Sequence, residues 1–127
     1  MISNLLRFQI VGTVRDVSHS IESELGKVET IFREFGEVKT FLVESDSTDD
    51  TVQKLEKIRR GNTEFSYVSL GKVQDKYPNR YQRISHCREH YLDYVREFIA
   101  DVDYIVVVDL DGMNTNLGKD SVGKTLE

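Results

Sequence analysis

The sequence predicts an α/β fold in three layers, α/β/α, around a mostly parallel, Rossmann-like sheet with strand order 3-2-1-4. Three observations predict it. Short β-branched and aromatic runs alternate with amphipathic stretches in the order β-α-β-α-β-α-β, which implies right-handed crossovers and helices on both faces of a parallel sheet. The last run, Tyr104-Ile-Val-Val-Val108, is unbroken and apolar, as expected of a strand buried on both faces. It leads straight into Asp109-Leu-Asp111, so two carboxylates stand at the strand's C-terminal tip, where open α/β sheets bind ligands.

The elements follow in order. Arg7 to Val14 reads as the first strand, with Gly12 near its exit, where a ligand could approach the backbone closely. Ser18 is a candidate N-cap for a helix carrying Ile21, Leu25, Val28, Phe32 and Phe35 on one face, with Gly36 as its stop. Val38 to Val43 forms a second strand, which ends in the acidic, hydroxyl-rich turn Glu44-Ser-Asp-Ser-Thr-Asp-Asp-Thr51. Ser47 or Thr48 can cap the next helix, which turns Val52, Leu55 and Ile58 inward and stops at Gly61. Phe65 to Leu70 alternates as a third, edge strand.

The helix over about 81–99 has the stripe Tyr81, Ile84, Tyr91, Leu92, Val95, Phe98 and Ile99, and the 100° period places Arg88 inside it. Cys87, beside the stripe, reads as a small core residue. Arg80, Arg83, His86 and Arg88 crowd the N-terminal half, against the helix dipole, at roughly 0.3–1 kcal/mol each. A bound diphosphate at the strand tips would explain that arrangement, because the crossover starts this helix at the same sheet edge as Asp109 and Asp111.

At 127 residues the chain is long enough for one domain with a core and short for two. A net charge of −5 argues against nucleic acid and anionic membranes as partners. No apolar run approaches the ~20 residues of a membrane span, and a single cysteine without a signal-like N-terminus leads us to expect a cytoplasmic protein.

Four stretches, Thr13-Val-Arg-Asp16, Glu44 to Thr51, Arg83-Ile-Ser-His-Cys-Arg88 and Asp109-Leu-Asp111, together resemble the nucleotide-sugar-binding half of a GT-A glycosyltransferase of the family 2 type, over nearly the whole chain. The resemblance implies a nucleoside-diphosphate sugar of the UDP or GDP type as ligand. It implies that the turn after the first strand, at Val14 and Arg15, and Glu44 contact base and ribose, with Asp46 in the same acidic turn. It further implies that Arg88 approaches the nucleotide or its phosphates, with Arg83 of the same stretch among the nucleotide-sugar-binding residues. Asp109 and Asp111 match the DxD motif, in which carboxylates hold the ribose and a Mn²⁺ or Mg²⁺ bridging the diphosphate. Nothing after Asn114 matches the part of that domain that supplies acceptor contacts and a catalytic base. We therefore expect residues 1–114 to form a donor-binding domain whose intact parent performs the transfer. The stretch 115–127 reads as a tail, and Leu126-Glu127 matches the junction before a purification tag. Apolar surface left uncovered beside the fourth strand predicts a homodimer.

Three other readings compete. Gly118 to Thr125 fits the GxxxxGK[ST] phosphate loop but follows no strand. Val108 to Gly112 resembles the first motif of haloacid-dehalogenase-type phosphatases, with Asp109 as nucleophile and Asp111 as acid/base. A non-catalytic α/β interaction module would end a strand in carboxylates without further use of them. His86 and His90 share a helix face at i,i+4, but the glutamate of an HExxH zinc motif is missing.

Overall fold

A computed structural model describes residues 6–110 of the chain. The order is β1 (Leu6–Val14), α1 (Ile21–Arg33), β2 (Gly36–Glu44), α2 (Thr51–Gly61), β3 (Phe65–Ser69), a 3₁₀ turn at Val73–Asp75, α3 (Arg80–Phe98), a second 3₁₀ turn at Ile99–Asp101, and β4 (Tyr104–Val107). The four strands form one sheet in the order β3-β2-β1-β4, and every pairing is parallel. The predicted strand order and class therefore hold.

The period of two along the strands sorts side chains to two faces. Phe8, Ile10 and Val14 of β1 and Val38 and Leu42 of β2 meet α1 through Ile21, Leu25 and Val28, while Leu55 of α2 and Phe65 of β3 extend this layer. On the other face Val11, Phe41 and Val43 meet Cys87, Tyr91 and Val95 of α3, and the Phe41 and Tyr94 rings stack with centroids 4.0 Å apart. Cys87 is thus a core residue, spaced by four from Tyr91 and again from Val95.

Several expectations are corrected. The buried line of α3 is Cys87, Tyr91 and Val95, so Arg88 lies off the core face and is exposed, as are Tyr81, Leu92, Phe98 and Ile99. An even apolar stripe around a helix cannot reveal which of its edges meets the sheet, and here the small Cys87 marks the closest approach. β4 is not buried on both faces: it is an outer strand among those described, with Tyr104 and Ile105 43% and Val107 64% exposed. Its apolar run is covered by β1 on one side only.

Glycine and cap assignments also shift. α1 ends at Arg33, and Gly36 opens β2, where a Cβ would fall 2.0 Å from the Leu6 carbonyl oxygen. At Gly12 the closely approaching backbone belongs to Val108, whose carbonyl oxygen would stand 2.7 Å from an added Cβ. Ser20 and Asp50 occupy the N-cap positions of α1 and α2, because Ser18, Ser47 and Thr48 bond across between the two loops instead.

Candidate functional site at the strand tips

Parallel register brings the strand ends level. Val14 lies opposite Glu44, Glu44 lies opposite Ser69, and Val11 lies opposite Val107. The Val108 amide still donates to the Val11 carbonyl at 2.9 Å, so continuing that register sets Asp109 beside Thr13 and Leu110 beside Val14. Leu110 is buried in the α1 core, and its carbonyl accepts the Ser20 hydroxyl at 3.3 Å, which anchors the chain just past Asp109.

Between these tips and the start of α3 lies a cleft of about 620 Å³. Its chemistry comes from Arg15, Asp46, Arg80, Arg83, Arg88 and Asp109. Four arginines against two carboxylates make the cleft cationic within a chain whose net charge is −5. Volumes of roughly 300–1,000 Å³ suit small ligands and cofactors. Two other grooves of similar size, one beside Glu56 and Tyr67 and one beside Arg33 and Glu64, gather no strand tips.

The cationic wall is the first half of α3. Asn79 caps the helix by accepting from the Tyr81 and Gln82 amides at 2.8 and 3.4 Å. Arg83 Nη1 donates to the carbonyls of Tyr77 and Pro78 at 3.2 and 2.5 Å, which holds its guanidinium at the cleft's edge. His86 takes no place in the lining; its ring packs between Tyr77 and His90, with centroids 5.0 and 5.1 Å away. Cys87 lies in the cleft floor and its thiol donates to the Ser45 hydroxyl at 3.5 Å. Burial, the largest influence, raises the Cys87 pKa above its ordinary value, so at neutral pH it stays a thiol.

The acidic wall divides in a way the sequence did not reveal. Glu44 is 2% exposed and shares the α1/α2 face with Leu42, so it does not line the cleft. Its Oε2 accepts the Ser47 amide at 2.9 Å, and Oε1 accepts the Ser69 hydroxyl. Asp46 lines the cleft instead. Its backbone sits at φ 58°, its amide donates to the Gly71 carbonyl at 2.8 Å, and its Oδ1 accepts the Gln74 amide at 3.0 Å. Its Oδ2 is buried without a hydrogen-bond partner among the described residues. A buried carboxylate oxygen left unpaired is costly, and such atoms ordinarily have a partner.

Of the residues singled out from sequence, Val14, Arg15, Asp46, Arg83, Arg88 and Asp109 share this cleft, and Glu44 stands behind it. Asp111 lies outside the described residues, as do the stretch Gly118 to Thr125 and the 115–127 tail. Arg80 stands out in the sequence only for its charge, and Thr13, Val17, Ser45, Ile84, Tyr91, Val107, Val108 and Leu110 join the lining without being candidate site residues in the sequence. Strand-end position could have flagged Thr13 and Ser45.

No protein-family model and no curated protein sequence matches the chain. Among solved structures, it is similar to S. aureus TarS 1-349 in complex with UDP, at 16% identity with a TM-score of 0.56. A second structure of S. aureus TarS 1-349 gives 15% identity and a TM-score of 0.54. Each likeness covers 95% of this chain and 31% of the other, so the chain spans about a third of the length of those it matches. At this identity the likeness shows the fold alone.

Proposed function

We propose that the cleft binds a nucleoside-diphosphate sugar, of the UDP or GDP type, and that glycosyl transfer to an acceptor belongs to an intact parent. The observation that carries this reading is the cationic cleft at the tips of a parallel sheet in an otherwise acidic chain. Fixed cations around a recess draw anions and favour them over neutral ligands. The UDP held by S. aureus TarS, in a chain similar to nearly all of this one, supports the ligand class.

Arg80, Arg83 and Arg88 face the diphosphate in this reading, and Arg15 reaches it from the β1 side. Guanidinium groups suit phosphate oxygens because their donors form a rigid planar fork. Asp46 offers Oδ2 to a donor N–H or O–H of the nucleoside. Among the described residues no three His, Cys, Asp or Glu side chains gather to hold a metal ion; the lining's anionic donors, Asp46 and Asp109, are two hard carboxylates of the kind Mg²⁺ and Mn²⁺ take. Asp109 with Asp111 would hold that ion, which would neutralise charge on a departing diphosphate. The arginines act in the same sense, because charge that grows on the leaving group grows beside fixed donors.

Calorimetric titration of UDP and GDP, each with Mn²⁺, tests the reading. Saturable binding that weakens on Asp109→Ala is the expected result; no binding of either nucleotide, or binding indifferent to that change, overturns it. Hydrolysis of a generic phosphoester, abolished by Asp109→Asn, would instead establish the dehalogenase-type alternative.

A further inference from the structure

Two non-glycine residues among those described hold a positive φ, Asp16 at 50° and Asp46 at 58°; Asp46 lines the cleft, and Asp16 lies in sequence between the lining residues Arg15 and Val17. Such backbone persists where surrounding bonds over-determine it. At Asp16 those bonds join the loop after β1 to the turn after β2. Its amide donates to the Ser47 hydroxyl at 3.0 Å, and its Oδ1 accepts the amides of Thr48 and Asp49 at 2.6 and 3.3 Å. Further along, the Val17 amide donates to Thr51 Oγ1 at 2.9 Å, and the Ser18 amide and hydroxyl donate to Asp49 Oδ2 at 3.2 and 2.8 Å. Asp16 Oδ2 also lies 3.8 Å from Arg15 Nε.

The braced turn begins one residue after Asp46, whose buried Oδ2 has no hydrogen-bond partner among the described residues. The other end of the brace begins one residue after Arg15, a cation of the lining at the neighbouring β1 exit. We propose that Asp16 is a positioning residue: it locks the β1 exit to the β2–α2 turn, so that Arg15 and Asp46 face one ligand at a set separation. The proposal rests on the nucleotide reading for the identity of that ligand and on the bonds above for the coupling.

Glycine and asparagine separate its two components. Asp16→Gly accepts the positive φ and deletes the carboxylate, whereas Asp16→Asn keeps an acceptor oxygen and tolerates the same backbone. Hydrogen exchange is read on the full chain without ligand, beside melting temperature and affinity for UDP with Mn²⁺. In Asp16→Gly the amides of Val17, Ser18, Thr48 and Asp49 should exchange about tenfold faster together, while the melting temperature moves by only a few degrees. UDP affinity should fall about tenfold, and Asp16→Asn should restore both readouts to within about threefold of the unaltered protein. Unchanged exchange in Asp16→Gly overturns the coupling, and faster exchange with unchanged affinity reduces Asp16 to a structural brace. Failure of the unaltered protein to bind UDP counts against the nucleotide reading alone, and exchange then decides the coupling.

Discussion

Among single residues, the carboxylates divide between those that serve the cleft and those that serve the fold. Asp46→Gly separates these roles: it relieves a left-handed backbone and deletes Oδ2. We expect chemical unfolding to change by no more than about 1 kcal/mol, because relief of strain offsets the lost Gln74 contact. Affinity for UDP should drop by about tenfold or more over the same change, the loss typical of a hydrogen bond to a charged group. Asp49 serves the fold. Burial, the largest influence, would raise its carboxyl, but hydrogen bonds from Thr51 and Ser18 together outweigh it and hold the pKa at about 2, below the ordinary 3.8. A carboxylate depressed by folding contributes stability above its unfolded pKa and loses it as pH falls through the folded value. Melting temperature should therefore fall steadily from about pH 4 to pH 2, and Asp49→Asn should show a shallower fall relative to its own value at pH 6. Alternation along β2 could have warned that Glu44 faces away from α3, since it shares parity with buried Leu42. Nothing in the sequence announced that Asp46 would take φ 58° and turn into the cleft, because that depends on Gly71 and Gln74 arriving from beyond β3.

At the scale of elements, the placement of β4 decides the position of Asp109. Just past the end of β4, the Val108 backbone stands so near Gly12 that any side chain larger than hydrogen there meets a carbonyl. Gly12→Ala should push β4 outward and cost roughly 1–3 kcal/mol, measured by urea unfolding, because the obstacle is backbone and cannot rotate away. Nucleotide affinity should fall with it as Asp109 moves. The strand order was legible because four runs of strand-like composition alternate with three helical ones, and crossover handedness leaves few arrangements. Burial of β4 was not legible. A run of five apolar residues states that a strand wants cover, and whether a neighbour supplies it is decided elsewhere in the chain. The same holds for α3, whose contact line follows Cys87 and not the most apolar edge.

At the scale of the whole molecule, Leu92 and Ile99 of the α3 region and Ile105 and Val107 of β4 are exposed apolar side chains near one side of the sheet. We expect a second copy of the chain to cover them, since contiguous exposed apolar surface favours association. Light scattering should report a dimer that Val107→Lys converts to monomer, and a monomeric unaltered protein would count against this. The cleft on the same molecule should respond to salt in the opposite way to such an apolar interface. Binding led by arginines and phosphates weakens as ionic strength rises.

In the proposed reading, ligand enters between the strand tips and the cationic start of α3. Amide chemical shifts of the full chain, followed as UDP is added with Mg²⁺, locate the contact directly. We expect shifts concentrated at Arg15, Ser45, Asp46, Arg83 to Arg88 and Val108 to Leu110, saturating together with one affinity. Shifts absent there, or gathered around Val52, Glu56 and Tyr67 on the far side of the sheet, would contradict that reading.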